Sequence, residues 1–157
     1  ENIFNILIHS NLMNVNIQNS NVLDLYSGVG SFGIECISRG AKNVTFIEKD
    51  IISSNILKNN LEKLLVIKKS KIFNESIETF FKKDIKEKFN IFFFDPPFAD
   101  KKFLENLQLI KKNKLFQSKH IIIIHREIKT EDSLQNFINI IETRKYGRSK
   151  LIFGSIN

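Results

Sequence analysis

The fold is decided by residues 21–33, which read NVLDLYSGVGSFG. Residues 21–25 are predicted to form a short strand, and a glycine-rich loop follows directly after it. Residues 31–39 are predicted to be helical, because Gly40 supplies a natural left-handed stop behind them. A strand, a glycine loop and a helix in this order are typical of a cofactor-binding loop in an α/β domain.

The rest of the chain repeats this alternation of strand and helix. Further strands are predicted at 43–48, 69–74, 90–95 and 120–124, and further helices at 1–13, 50–64, 76–83 and 101–112. Residues 136–143 and 149–154 are predicted to pair antiparallel around Tyr146-Gly147. We therefore expect an α/β, Rossmann-like fold, with a seven-stranded, mostly parallel sheet, helices on both faces and an antiparallel terminal hairpin. Seven strands with the last pair antiparallel resemble the plan of class I methyltransferases.

Composition sets limits on the class of protein. With 157 residues, 42% of them hydrophobic and 26% charged, we expect one domain over residues 1–157. No apolar run approaches the ~20 residues that span a bilayer, and no signal peptide is predicted.

Cys36 is the only cysteine, so an intramolecular disulfide is excluded and a reducing, cytoplasmic location is expected. We predict no metal, because His9, His120 and His125 share no ligand spacing with Cys36.

The charge of the chain bears on its partner. The formal net charge is +7, which favours an anionic partner, with nucleic acid first. A general bias of the composition towards Asn, Ile and Lys would raise the lysine content without any selection for binding. Nothing in the sequence demands more than a monomer.

The glycines of the loop match the pattern G-x-G-x-x-G at Gly28, Gly30 and Gly33. Nicotinamide and flavin enzymes share this pattern, because glycines allow a tight turn and let a ligand approach bare backbone. Asp24 distinguishes a site for S-adenosylmethionine from a site for a nicotinamide or flavin dinucleotide. An acid four residues before the first glycine can hold the ammonium end of S-adenosylmethionine, whereas it suits the pyrophosphate of a dinucleotide poorly.

Acids at the ends of the next two strands extend the candidate cofactor site. Glu48 lies 20 residues after Gly28, where a carboxylate can accept both hydroxyls of a ribose, as it also does in NAD sites. Glu75 either meets the adenine edge or stabilises the start of the next helix through its macrodipole. The candidate cofactor-binding residues are Asp24, Tyr26, Ser27, Gly28, Gly30, Gly33, Glu48, Lys49, Glu75 and Ser76.

A second motif, Asp95-Pro96-Pro97-Phe98, follows the apolar run 91–94 and is called the Pro-Pro lip below. Both prolines have a fixed φ and no N–H, so the carbonyls there are predicted to be held in place and free to accept hydrogen bonds. Asp95 and the Pro96 carbonyl can accept the two N–H bonds of an exocyclic amine, while Phe98 stacks on the base. Asp95, Pro96, Pro97 and Phe98 are therefore candidate catalytic residues for methyl transfer to an unpaired or flipped base.

These motifs resemble one family. Residues 3–50 and 90–98 resemble the bacterial 16S rRNA guanine-N2 methyltransferases of the RsmD type. The matching phrases are IFNIL, VLDLYSGVGSFGIECISRGAKNVTFIEKD and NIFFFDPPF, and the segment KYGRSKLIF resembles that family's closing hairpin.

The resemblance implies S-adenosylmethionine as the donor and a guanine of 16S rRNA, free or in an assembling small subunit, as the acceptor. It carries cofactor contacts onto Asp24, Gly28, Gly30, Glu48 and Glu75, and catalysis onto Asp95, Pro96 and Phe98. The family usually begins with a basic amino-terminal arm, which is absent here. It often has a glutamate where this chain has His125, to which no role is assigned.

Basic residues near the predicted site are candidates for phosphate contacts. They are Lys101, Lys102, Arg144, Lys145, Arg148 and Lys150. Two other functions stay open: an N6-adenine methyltransferase acting on DNA or RNA, and a non-catalytic module that binds RNA or the cofactor. Asp95 favours the guanine enzyme over the adenine enzyme, since adenine enzymes often carry Asn there. Intact Asp24, Glu48 and Asp95 argue against the non-catalytic module.

Overall fold

The computed structural model describes residues 2–9 and 15–156. Its helices are α1 (Asn2–His9), α2 (Ser31–Ser38), α3 (Ile51–Lys63), α4 (Ile77–Phe81) and α5 (Phe103–Lys112). Its strands are β1 (Asn21–Leu25), β2 (Asn43–Ile47), β3 (Ser70–Phe73), β4 (Phe89–Phe94), β5 (Phe116–Glu127), β6 (Asn139–Tyr146) and β7 (Ser149–Ser155). The predicted helix at 1–13 is seen over 2–9, and residues 10–14 lie outside the described part.

The seven strands form one sheet in the order β3-β2-β1-β4-β5-β7-β6. The pairs from β3 to β5 are parallel, and β7 pairs antiparallel with both β5 and β6. This arrangement confirms the predicted fold class. Because β1, β2, β3 and β4 run in the same direction, the loops after them meet at one edge of the sheet, where α/β proteins bind ligands.

Two apolar layers cover the sheet. Successive strand residues point to opposite faces, so Val22 packs in one layer and Leu23 in the other. The first layer also holds buried residues of α1, α2 and α3, and the second holds those of α4 and α5. Cys36 belongs to the first layer and is fully buried, as its position on the apolar side of the helix predicts.

Two predicted strands, β5 and β6, differ from the structure by more than one residue at each end. β5 begins at Phe116 and extends to Glu127, since Phe116 pairs with Phe89 of β4 and Glu127 pairs with Ser149 of β7. The polar residues 117–119 hide this extension from a search for apolar runs. β6 begins at Asn139 rather than at 136, because Leu134–Asn136 forms a 3₁₀ helix. Within the described ranges, no helix is long and apolar enough to cross a membrane.

Candidate active site

A cavity of about 800 Å³ lies at the carboxyl ends of the parallel strands. Ten of the sequence-predicted site residues line it: Tyr26, Gly28, Glu48, Lys49, Glu75, Ser76, Asp95, Pro96, Pro97 and Phe98. A second cavity of about 600 Å³ is lined by Asp24 and Ser27 and shares Tyr26, Gly28 and Asp95 with the first. The structure thus brings the glycine loop and the Pro-Pro lip to one place.

The three glycines of the loop have different surroundings. Gly28 has a φ of +57°, and a Cβ on it would meet nothing within 4 Å, so its backbone faces open space in the cavity. Gly30 and Gly33 line neither cavity. A Cβ on Gly30 would lie 2.3 Å from Cδ1 of Leu57, and one on Gly33 would lie 2.3 Å from Cε1 of Phe46. Gly28 is therefore the glycine open to a ligand. Gly30 lets the loop lie close to α3, and Gly33 lets α2 lie close to β2.

Ser27 holds the loop to the sheet. Its hydroxyl donates to the Asp24 carbonyl at 2.6 Å and accepts from the Ile47 N–H at 3.0 Å, and its own N–H donates to the Ile47 carbonyl at 3.0 Å. Tyr26, just before it, has a φ of +58°, a backbone conformation that residues other than glycine and asparagine rarely adopt. The hydrogen bonds of Ser27 fix β1 to β2 on either side of this turn, so the cavity floor is held in one shape.

Asp24 is a buried carboxyl group beside the loop, and only 1% of it is exposed. Its Oδ2 accepts from the Gly33 N–H at 3.0 Å. Burial raises the pKa of Asp24 to about 8, against the lowering effect of the Gly33 hydrogen bond and with smaller contributions from the charges of Asp95 and Glu48. A cation in the cavity beside Asp24 would favour the ionised form.

Glu48 closes the loop from the end of β2. Its Oε1 accepts from the Gly28 N–H at 2.7 Å, and its Oε2 accepts from the Asp50 N–H at 2.8 Å. Asn74 donates to the carbonyls of Glu48 and Lys49, at 2.9 and 3.2 Å. The carboxylate is thereby fixed in the lining of the cavity, next to the open backbone of Gly28.

Glu75 has one carboxylate oxygen without a partner. Its Oε1 lies 3.4 Å from Nζ of Lys83, whereas its Oε2 is buried and has no hydrogen-bond partner among the described residues. Ser76 caps α4, since its hydroxyl accepts from the Thr79 N–H at 3.1 Å. A buried acceptor in the lining of a cavity is costly unless a donor reaches it. The position of Glu75 Oε2 therefore suits a ligand that brings an N–H or O–H group.

The Pro-Pro lip is fixed by two residues of β5. Nδ1 of His125 lies 2.8 Å from Oδ1 of Asp95. The guanidinium of Arg126 donates to the carbonyls of Pro97 at 3.2 Å and of Phe98 at 2.9 Å. The prediction that the lip carbonyls are free is thus wrong for Pro97 and Phe98. Within residues 2–9 and 15–156, the Pro96 carbonyl accepts no hydrogen bond, so it is left to accept one from a substrate.

Three contributors to the site are hard to see in the sequence. His125 and Arg126 come from a strand whose apolar core ends just before them. Asn106 is buried in α5, and its Nδ2 lies 3.4 Å from the Tyr26 hydroxyl and 3.3 Å from Oε2 of Glu78. The sequence feature that could have revealed Asn106 is its position as a polar residue on the apolar helix face that carries Phe103 and Leu107. In the described part of the chain, no group of three His, Cys, Asp or Glu side chains could hold a metal ion.

Proteins of known name and structure are similar to this chain. The protein called ribosomal RNA small subunit methyltransferase D is 34% identical in Haemophilus influenzae over 113 residues, which are 71% of this chain and 58% of that protein. In Buchnera aphidicola from Baizongia pistaciae, the protein of the same name is 34% identical over 116 residues, or 74% of this chain and 58% of that protein. The chain thus spans less than two thirds of the length of these relatives.

A crystal structure of a Haemophilus influenzae protein matches the fold with a TM-score of 0.80 and 26% identity, covering 99% of this chain and 94% of that one. The sequence profile of the family described as conserved hypothetical protein 95 matches residues 1–155. Since that match covers nearly the whole sequence and agrees with the named relatives, the chain belongs to this family, that of the RsmD-type methyltransferases.

Proposed function

We propose that this chain transfers a methyl group from S-adenosylmethionine to the exocyclic N2 amine of a guanine in 16S ribosomal RNA, in the cytoplasm. The observation that carries the proposal is the position of Asp95, which lines the larger cavity together with Glu48 and the smaller cavity together with Asp24, so that the candidate acceptor for the amine borders the candidate cofactor residues. The relatives named as small-subunit rRNA methyltransferases support the class of acceptor.

The residues present fit S-adenosylmethionine. Asp24 offers a buried carboxylate to a cationic ammonium group, and Glu48 offers a fixed carboxylate to ribose hydroxyls. The unpartnered Oε2 of Glu75 would accept from the adenine amine, and the open backbone at Gly28 leaves room for the ligand. Lys49, Ser76, Tyr26 and Ser27 shape the cavity around these groups. When bound, the cofactor supplies an electrophilic methyl group on a sulfonium.

The lip would hold and orient the acceptor. The amine of a nucleobase is a weak nucleophile because its lone pair is conjugated with the ring. Asp95 would accept one N–H through Oδ2, since Oδ1 is held by His125, and the Pro96 carbonyl would accept the other. Phe98 is 40% exposed and would stack on the base face, a contact worth ~1–3 kcal/mol. Orientation would supply most of the acceleration, with Asp95 as a proton acceptor.

The basic residues proposed to contact RNA phosphates differ in whether their side chains already have partners within the protein. Lys101 contacts Asp132 at 2.7 Å, Lys150 donates to the Thr130 carbonyl at 2.7 Å, and Arg144 contacts Glu142. Lys145 and Arg148 are exposed in the β6–β7 hairpin, and Lys102 lines the larger cavity. We infer that Lys102, Lys145 and Arg148 make the principal phosphate contacts. The expectation of a monomer stays a prediction.

A methyl-transfer assay tests the function. Tritiated S-adenosylmethionine would be offered to unmethylated small subunits and to free 16S rRNA, and the product identified by nucleoside analysis. We expect N2-methylguanosine, and we expect Asp95→Ala to abolish it while leaving cofactor binding intact. N6-methyladenosine would instead establish the adenine enzyme. Cofactor binding without transfer to either RNA, both in this chain and in the fused chain described next, would contradict the proposal and support a non-catalytic module.

The family's basic arm supplies the second form of this assay. The transfer would be repeated with a basic amino-terminal segment, of the kind that the family carries, fused ahead of Glu1. Transfer that appears only in the fused chain would assign the arm to RNA binding and leave the catalytic residues as proposed. Failure of both chains would reject the catalytic assignment.

A further inference from the structure

Arg126 is a fully buried arginine beside the Pro-Pro lip. Its side chain has no exposed surface, and the side chain of its ion-pair partner Asp132 is 1% exposed. Nε of Arg126 lies 2.9 Å from Oδ2 of Asp132, and Nη2 lies 3.4 Å from Oδ1. A buried guanidinium is expensive to desolvate, so it requires partners on all sides.

The remaining partners of Arg126 come from the segment after β4. Nη1 and Nη2 donate to the carbonyls of Pro97 and Phe98, and the guanidinium carbon lies 4.7 Å from the centre of the Phe103 ring. One planar group therefore meets a carboxylate, two lip carbonyls and an aromatic face. Arginine suits this arrangement because its donors have a fixed, forked geometry that lysine lacks.

A second link joins the same two segments. Nζ of Lys101 lies 2.7 Å from Oδ1 of Asp132 and 3.2 Å from the carbonyl of Glu131. Segment 97–103 is thus tied to segment 126–132 at several atoms. On the other face of β5, His125 holds Asp95, because successive strand residues point to opposite sides.

Stability alone does not account for the pair. Replacing a buried ion pair with apolar residues of similar size is often neutral or stabilising, whereas removing one partner is strongly destabilising. What the pair does supply is a fixed direction for two carbonyls, and through them for the backbone that carries Phe98 and the Pro96 carbonyl.

We propose that Arg126, held by Asp132, is a positioning residue of the reaction, which fixes the Pro-Pro lip so that Phe98 and the Pro96 carbonyl meet the base in one geometry. The catalytic part of this inference rests on the proposed function, whereas the ordering of the lip does not. Arg126 would act through the lip backbone and would not touch the substrate.

The order of the lip can be measured without any substrate. The chain has no tryptophan, so Phe98→Trp introduces a single fluorescent reporter at a position that is 40% exposed. We would compare its anisotropy and its quenching by acrylamide with and without the double substitution Arg126→Met/Asp132→Asn. This double variant removes both buried charges together, so neither is left unpaired.

The expected result is lower anisotropy and faster quenching in the double variant, with an unchanged far-ultraviolet circular dichroism spectrum. Unchanged anisotropy and quenching would overturn the inference, whether or not the protein methylates RNA. If the double variant fails to fold, Arg126→Lys replaces it, since that variant keeps the positive charge but lacks the forked donors of the guanidinium. Unchanged reporter signals in Arg126→Lys would then overturn the inference.

Kinetics test the catalytic part. In the double variant without the reporter, we expect kcat to fall about 100-fold, as displaced reacting groups produce, and the cofactor Kd to stay within about twofold. The matched control is Leu115→Ala, which truncates a buried side chain just before β5 and so destabilises the chain at the opposite end of that strand from the lip. A double variant that binds the cofactor and retains kcat, or a kcat loss no greater than that of Leu115→Ala, would overturn the positioning role. If the parent chain methylates no RNA, the proposed function fails and the reporter measurement still decides the ordering of the lip.

Discussion

Nδ1 of His125 donates to Oδ1 of Asp95 at 2.8 Å, so an imidazole holds one of the two carboxylate oxygens of the Pro-Pro lip. The parallel register of β4 and β5 pairs Phe94 with Ile124, which places the next residues of the two strands side by side. The ring of His125 also lies 6.3 Å from that of Phe98, centre to centre. A residue without an assigned role in the sequence thus contacts two candidate catalytic residues.

Replacing His125 tests this contact. In His125→Leu, Asp95 loses its hydrogen bond and turns more freely, so we expect kcat for methyl transfer to fall about tenfold, or ~1.4 kcal/mol, a modest loss because Asp95 is half-exposed. In His125→Asn, the side-chain N–H falls near the position of Nδ1 and should restore most of the rate. Single-turnover transfer under saturating cofactor measures both variants. Equal rates in His125→Leu and the parent chain would exclude a role in orienting Asp95.

Two alanine substitutions in the glycine loop should both destabilise the chain, but only one of them should also weaken cofactor binding. In Gly33→Ala, the new methyl would lie 2.3 Å from the Phe46 ring, so we expect a loss of ~1–3 kcal/mol in the free energy of unfolding. In Gly28→Ala the methyl meets no protein atom, so only the positive φ costs stability, ~1–2 kcal/mol, while the methyl intrudes on the cavity. Urea unfolding and cofactor titration distinguish the two.

Gly28→Ala should bind the cofactor more weakly than Gly33→Ala does when the two variants are compared at the same folded fraction. The opposite ranking would mean that the ligand does not approach the backbone at Gly28. Gly147→Ala is the control for strain alone, since it has a φ of +58° and an open surround in the β6–β7 hairpin.

Asp24 should make the stability of the free protein depend on pH. Burial raises its pKa from 3.8 to about 8, so the folded chain keeps a proton that the unfolded chain loses. Protonation at this site therefore favours folding at low pH, and its contribution is lost as the pH rises from about 4 to about 8. The free energy of unfolding, measured by urea across this window, should fall less steeply in Asp24→Asn than in the parent chain. Parallel curves would contradict the raised pKa.

The same group should couple cofactor binding to proton release. A cationic ammonium beside Asp24 favours its ionised form, so binding below pH 8 should expel a proton and the affinity should rise with pH up to about 8. Calorimetric titration in buffers of different ionisation enthalpy counts the proton. Asp24→Asn should release none from this site, and equal proton release in both proteins would assign the proton elsewhere.

Glu75 should separate binding from stability. Because its Oε2 is buried and has no hydrogen-bond partner within residues 2–9 and 15–156, truncation by Glu75→Ala removes an unsatisfied acceptor and should leave the unfolding midpoint unchanged or higher. The cofactor Kd should rise about tenfold, the effect of losing one hydrogen bond of ~1.4 kcal/mol. Glu62→Ala, on the exposed side of α3, is the matched control. An unchanged Kd in Glu75→Ala would place the ligand away from this acid.

The alternation of apolar runs and glycine stops was enough to predict the sheet, because parallel strands buried on both faces leave a strong local signal. β1 at 21–25 has the predicted bounds, and the predicted strand at 43–48 differs from β2 by one residue. β5 and β6 were predicted less well, since their extra residues are polar and are ordered by partners distant in sequence, such as Ser149 opposite Glu127. Such pairing leaves no local pattern.

The same reason explains what the sequence revealed of the site. Ten of the predicted residues line one cavity, because strand ends and their glycine or proline signals are local features. Arg126 was not predicted, since its partners Pro97, Phe98 and Asp132 are brought together only by the folded sheet. His125 gains its contact with Asp95 only through the register of β4 and β5.

The strand order has a consequence for how the chain folds during synthesis. β7 follows the other six strands of this sheet in the chain and so leaves the ribosome after them, yet it lies inside the sheet between β5 and β6. Until residues 149–155 emerge, the β5 edge stays unpaired, and it carries Ile121, Ile122, Ile123 and Ile124. An exposed apolar edge of this kind is a site for aggregation. Chains stalled before Ser149 should therefore depend on chaperones. The apolar edge of β5 is protected from aggregation only when β7 pairs with it.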